Sequence, residues 1–348
     1  MKQLLFSVSV FVFCSGMFAQ NVLQKLPESS SIRGMSVVSA DEVWFSGSKG
    51  YVGCTRDLGN TFYMEQVPGY ETAELRDIHV FEDGSICVMS STLPAAILRS
   101  VDTGKTWSTV FREDSAWWFL DAFDFYGDQG ICIGDPIDGH FVLLHTSDAG
   151  KTWSKQFVEE RTDSLAAFAA SGSTIRYVDK KRVLFATGGA EAKIFMSRDR
   201  GQTWTSYPTR VLHGTPSSGI FCLEVMDDGW IIAGGGDYTG ATSGISLFTF
   251  QIGKRTLFKH SADAFSDTEI NFFPTCLSYI SSIAYVNDTT AVICGTGGHM
   301  QFDMQECTYP STTGFNVCAA SPDKSYVFLA GDSRFGMIDL RFAGLRVE

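Results

Sequence analysis

Ser100-Val-Asp102-Thr-Gly104-Lys-Thr106-Trp107 recurs three more times along the chain, as Thr55-Arg-Asp57-Leu-Gly59-Asn-Thr61-Phe62, Thr146-Ser147-Asp148-Ala-Gly150-Lys-Thr152-Trp153 and Ser197-Arg-Asp199-Arg-Gly201-Gln-Thr203-Trp204. The four aspartates are 45, 46 and 51 residues apart, about the length of one four-stranded propeller blade. Each segment reads as a turn. The Asp carboxylate accepts backbone N–H bonds, Gly two residues on supplies a positive φ, and the Thr and aromatic residue open the following strand. A residue repeated four times fits a repeated turn better than a single reactive site. Asp57, Asp102, Asp148 and Asp199 are therefore structural Asp-box residues.

Around the boxes one pattern recurs. An inner strand comes first (Asp77-Ile-His-Val80, Ala122-Phe-Asp-Phe125), then an apolar strand ending in Gly (Val43-Trp-Phe-Ser-Gly47, Ile131-Cys-Ile-Gly134). A third strand leads into the box (Val142-Leu-Leu-His145, Ile194-Phe-Met196) and a fourth leaves it. Units without boxes continue at Ile220–Lys259, Ser282–Thr308 and Phe315–Leu340. Helical periodicity is almost lacking. The expected fold is all-β, a seven-bladed β-propeller. Its last unit lacks a fourth strand, and residues 21–27 (NVLQKLP) have no blade of their own. An N-terminal strand is thus expected to complete the last blade and leave no open sheet edge at the seam.

The 28 Phe and 44% hydrophobic content supply a large core, and only 19% of residues are charged, which argues against disorder. A formal charge of -12 gives no electrostatic basis for binding nucleic acid. Lys2 followed by the short apolar run Leu4–Phe13 and by Phe18-Ala19 reads as a secretory signal cleaved before Gln20. The bulky Phe13 before Cys14 disfavours a lipid anchor. The expected organisation is a signal over residues 1–19 and one propeller over residues 20–348, periplasmic or secreted, monomeric and without a membrane span. Eight cysteines remain after such cleavage. Those at Cys87, Cys132 and Cys294 occupy equivalent strand positions as small buried residues. One disulfide among Cys276, Cys307 and Cys318 is compatible with an oxidising compartment. No CxxC pair or His spacing points to a metal, and no cofactor is expected.

Further blade-opening segments narrow the assignment: Ser31-Ile-Arg33-Gly34, Leu75-Arg76-Asp77, Phe119-Leu-Asp121-Ala, Gly134-Asp135-Pro136-Ile-Asp138-Gly139, Ala166-Ala-Phe168-Ala-Ala-Ser-Gly172, Gly219-Ile-Phe221 and Gly235-Gly-Asp237-Tyr238. With the boxes in this order, the chain resembles the bacterial BNR/Asp-box propellers related to the photosystem II assembly and stability factors. It departs from them in the missing boxes of the last three units and in Phe62 where Trp is usual. The resemblance implies a binding or scaffold module without a defined catalytic activity.

Blade connectivity places the starts of first strands and the second-to-third-strand loops on one face, and the Asp boxes on the other. The first face is expected to gather Arg33, Arg76, Asp77, Asp121, Asp135, Asp138, Asp237 and Arg334 as a ligand or partner site. No residue is assigned a catalytic role. Two alternatives stand beside a protein partner in the cell envelope. The same charges can pair with one another and lock the blades. Or the mouth can hold carbohydrate, as in an Asp-box glycosidase, with Asp121 opposed by Asp135 or Asp237. A sialidase would also need a Tyr–Glu pair, which the sequence does not display. Trp117-Trp118-Phe119 reads as inter-blade core more readily than as a sugar platform.

Overall fold

A computed structural model describes residues 21–162, 164–241, 243–251 and 270–342. The segment expected to be a signal, residues 1–19, lies outside the described residues, as does His260. The strands form seven antiparallel sheets, the blades of a propeller. Blades 1 to 4 open with Ile32–Val37, Leu75–Val80, Leu120–Tyr126 and Ile175–Tyr177. Blades 5 to 7 open with Thr215–Val225, Ser282–Asn287 and Val317–Ala320. Within blades 1 to 6 the four main strands follow in sequence order. Blade 5 is extended on its inner side by the short strands Gly188–Gly189 and Leu165–Ala166. The seam closes as the sequence predicts. Asn21–Lys25 pairs antiparallel with Arg334–Asp339, from Asn21 opposite Ile338 to Lys25 opposite Arg334, and supplies the fourth strand of blade 7.

The core lies between blades. Seven separate hydrophobic clusters each straddle one interface. That between blades 7 and 1 joins Leu26, Phe45, Phe328 and Phe335, and that between blades 3 and 4 joins Ile133, Phe141, Phe185 and Phe195. An Asp box seals the rim of several interfaces. In blade 2 the Asp102 Oδ1 accepts from the Ser100 hydroxyl at 2.8 Å and the Thr106 amide at 2.9 Å, while Oδ2 accepts from the Thr106 hydroxyl at 2.6 Å. The Thr106 hydroxyl, its amide and the Ser100 hydroxyl hold this carboxyl down to about 2. The residue after each box Asp also has positive φ (Leu58, Thr103, Ala149 and Arg200, 57–64°), as does the following Gly. That Gly must stay bare because it abuts the preceding blade. A Cβ on Gly150 would lie 2.6 Å from Cys87 Sγ, and one on Gly201 would lie 2.6 Å from Ile131 Cδ1.

Around the channel, neighbouring first strands are pinned to one another. The Val80 amide donates to Ser36 Oγ, Phe123 N to Asp77 Oδ2 and Tyr177 N to Asp124 Oδ2. Leu223 N donates to the Ser173 carbonyl, Tyr285 N to Glu224 Oε1, Cys318 N to Ser282 Oγ, and Asn316 Nδ2 to the Ile32 carbonyl. One such bond crosses every blade interface. Each satisfies a polar group that the tight approach of inner strands would otherwise bury unpaired.

All eight described cysteines are free, so the bridge considered among Cys276, Cys307 and Cys318 is not formed. Cys318 is buried and directs its Sγ to the Val292 carbonyl at 3.5 Å, whereas Cys276 is exposed. Cys87, Cys132 and Cys294 are buried core residues as expected.

Candidate partner-binding mouth

The first strand of blades 1, 2, 3 and 5 carries a bulge: between Ile32 and Gly34, Leu75 and Asp77, Leu120 and Ala122, and Ile220 and Cys222. The extra residues are Arg33, Arg76, Asp121 and Phe221. A bulge leaves its extra residue out of the ladder and re-aims its side chain. Here all four side chains line one cavity of about 430 Å³ at the channel mouth. Asp135 joins them because the bulge at Asp121 lets the Asp135 amide donate to the Phe119 carbonyl at 2.9 Å.

The mouth has a floor. After blade 3 the chain crosses the channel top through residues 166–173, much of it buried. Arg33 Nη1 donates to the Ala170 carbonyl at 3.3 Å and Arg76 Nη1 to the Ala169 carbonyl at 3.0 Å. Ser171 Oγ donates to the Ser281 carbonyl at 2.6 Å, which ties the segment to blade 6. Gly172 is necessary: it sits at φ 72°, and a Cβ there would lie 2.3 Å from Asp77 Oδ1. One wall is aromatic. Phe168 lies 4.1 Å from Phe221, and Phe221 meets Tyr279 edge-on at 4.8 Å.

The electrostatics of the mouth are unbalanced. Burial and the neighbouring Arg33 charge lower the Arg76 pKa, against the opposing pull of Glu74 and Asp121, and its Nε has no hydrogen-bond partner. Asp121 is fully buried, and neither of its carboxylate oxygens has a well-formed hydrogen bond. Burial pushes its pKa well up and Asp135 adds to this, while Arg76 and the Ala169 amide pull only weakly the other way. Asp135 is raised to about 6 by burial, although its Oδ1 accepts from the Ala167 amide at 3.1 Å. A raised carboxyl pKa means that ionisation opposes folding, with the penalty absent below about pH 4 and growing as pH rises through about 6. Asp135→Asn keeps an acceptor for Ala167 and is expected to stabilise the protein at pH 8 by on the order of 2 kcal/mol, with little change at pH 4. Thermal melts of both proteins across that range check this, and equal shifts at both ends would count against it.

The other predicted site residues are placed differently. Asp77 is buried between blades 2 and 3, where its two oxygens accept from the Ile78 and Phe123 amides, both at 2.9 Å; it locks blades and does not face the cavity. Asp237 is 1% exposed and caps its own turn through the Thr239 amide and hydroxyl. Asp138 occupies a hairpin tip with φ 52°, and Arg334 contacts the Asp332 carbonyl at 3.3 Å; neither lines the cavity. Trp117-Trp118-Phe119 divides three ways. Trp118 enters the core between blades 2 and 3, Phe119 lines the mouth and Trp117 is 81% exposed. Tyr279, which sequence reading passed over, stands within range of the Arg33 and Arg76 charges, and burial raises its pKa. Its bridge to Gly236 belongs to a blade whose opening carries no Asp box, so no repeat signalled it. Among the described residues no group of His, Cys, Asp and Glu is placed to hold a metal.

Residues 91–205 match the family model described as photosynthesis system II assembly factor YCF48. The chain is a β-propeller, and over this stretch it is similar to YCF48. Two solved YCF48 structures superpose over 93% of the chain. One, bound to a D1 peptide, has a TM-score of 0.61 at 14% identity and is covered over 97% of its length. The other, from Cyanidioschyzon merolae, has a TM-score of 0.64 at 13% identity and is covered over 99%. The β-propeller domain of Cps50 (Swd1) from Myceliophteria thermophila superposes as well, with a TM-score of 0.62 at 11% identity over 92% of this chain and all of that one. Likeness in shape therefore reports the propeller, and the family match adds the BNR relationship. No curated protein matches the sequence.

Proposed function

We propose that the protein is an exported binding module, an assembly or stability factor-like scaffold that docks a polypeptide segment of an envelope protein at the floored mouth bearing Arg33 and Arg76. The observation that carries this reading is the segment of residues 166–173 closing the channel beneath two partly desolvated arginines. The result is a seat of mixed charged and aromatic side chains. Exposed apolar side chains on the same face widen that seat: Leu93, Trp117 and Tyr238 are 60%, 81% and 54% exposed. Arginine and aromatic anchors surrounded by apolar contacts are what protein recognition uses. The solved YCF48 bound to a D1 peptide supports a polypeptide ligand, and the apolar run before Gln20 supports export.

A glycosidase finds little support. Asp121 and Asp135 lie on adjacent strands of one blade, not on opposed blades across the mouth. Asp237 is engaged in its own turn. Tyr279 has the raised pKa of a buried phenol, the opposite of an activated nucleophile.

Arg33→Ala with Arg76→Ala tests the proposal. Both guanidinium groups donate to backbone carbonyls, so the double variant is expected to fold. Capture of the partner from envelope extract, identified by cross-linking and mass spectrometry, is expected to weaken by about thirtyfold or more, the effect of losing an anchor worth ~2 kcal/mol. Undiminished capture by a folded variant would remove the mouth from consideration.

A further inference from the structure

The opposite face holds a larger cavity, of about 520 Å³, in the groove between blades 3 and 4. Its origin lies in one substitution within the repeat. Three residues before the box Asp, blade 2 has Arg99, whose Nε reaches across to blade 3 and donates to the Ala149 carbonyl at 3.1 Å, while its Nη2 donates to Ser85 Oγ of its own blade at 2.7 Å. The residual space at that interface is about 150 Å³. The equivalent residue of blade 3 is His145, and the residue facing it from the next box, equivalent to Ala149, is Arg200. Histidine is too short to span the groove. The cavity stays open, and the buried Nε2 of His145 has no hydrogen-bond partner.

Cations line this groove. Lys181, Arg198 and Arg200 are exposed around it, with Gln202 and Tyr177 beside them. The acid in its lining is Asp199, whose oxygens are already engaged by Ser197 and Thr203 within the box. A local group of three cations beside an imidazole whose Nε2 is buried and unpartnered stands out on a chain of formal charge -12, whose overall field repels anions.

We propose that the groove between blades 3 and 4 is a second binding site, taking an oxyanionic ligand that carries phosphoryl groups. Lys181 and Arg200 supply charge-assisted hydrogen bonds to its oxygens, and the His145 ring forms part of the inner wall. The cavity is several times the size of one phosphate, which leaves room for a second phosphoryl group or an esterified body.

Calorimetric titration of the full chain at low ionic strength tests the site, with inorganic pyrophosphate as a free anion and glycerol phosphate as an ester. Saturable one-site binding that weakens with salt is expected, and the tighter of the two probes identifies the source. Lys181→Ala with Arg200→Ala is expected to weaken binding at least about tenfold, the loss of a charged hydrogen bond. The backbone should tolerate the change, because Ala149 holds the equivalent position at φ 57° against 64° for Arg200. In the unaltered protein, ring nitrogen NMR of His145 should shift with the same saturation curve. Absence of saturable binding, equal affinity in the folded double variant, an unmoved His145 signal, or preference for a glutamate-rich peptide over both probes would each overturn the proposal.

Discussion

Deleting residues 21–27 is expected to turn the protein into an aggregating species with a strongly lowered melting temperature. The five residues Asn21–Lys25 form the outer strand of blade 7, in continuous register with Arg334–Asp339. Without them the Arg334–Asp339 strand becomes a free edge with unpaired amides and carbonyls, a template for intermolecular pairing. The deletion also removes Leu26, which is 2% exposed in the cluster between blades 7 and 1 and whose amide donates to the Ser333 carbonyl at 2.9 Å. Loss of a buried leucine alone costs about 2–5 kcal/mol, and the lost ladder bonds about 1 kcal/mol each. Together these approach the whole stability of a typical domain, about 5–15 kcal/mol. Size-exclusion chromatography with a thermal melt checks the result. A monomer with unaltered melting would mean that the ring is held by the remaining interfaces without its closing strand.

The second large effect is expected at Asp77. Its side chain is 5% exposed, and its two oxygens join the Ile78 amide of blade 2 to the Phe123 amide of blade 3. Asp77→Ala strands two buried amides, at about 1–3 kcal/mol each, so a loss of roughly 2–5 kcal/mol is expected. Asp77→Asn keeps one acceptor and should lose less. The Asn variant also separates charge from hydrogen bonding. Burial raises the Asp77 pKa well above the ordinary carboxylate value, against the amides of Phe123 and Ile78 and the Arg176 charge. The native protein therefore loses stability from this group as pH rises above about 4, the unfolded value. In Asp77→Asn that pH-dependent loss should vanish. Chemical denaturation of the three proteins at acid and neutral pH measures both effects. An Ala variant as stable as the unaltered chain would show that the inter-blade pins are incidental.

The propeller, its seven units and its closing strand were legible in the sequence because they rest on local regularities. A box recurring every 45 to 51 residues reports a turn whose hydrogen bonds fall within seven consecutive residues, from Ser100 to Thr106 in blade 2. Strand alternation and a leftover N-terminal segment are likewise read along the chain. Which loop ends share a face was legible for the same reason, since strand order alone assigns them. Which side chains meet there was decided only in three dimensions. Arg33 and Arg76 point into the mouth because bulges re-aim them. Asp77, one residue further along the same strand, points between blades and becomes a lock. A single residue of register reverses the side on which a strand residue falls, and no repeat motif marks where a bulge occurs. The floor of the mouth comes from a segment that contacts blades 1, 2 and 6, far from it in sequence. Composition and spacing carry turns, strands and closure; long-range contacts and bulges decided which of the charged residues line the mouth and which hold the ring together.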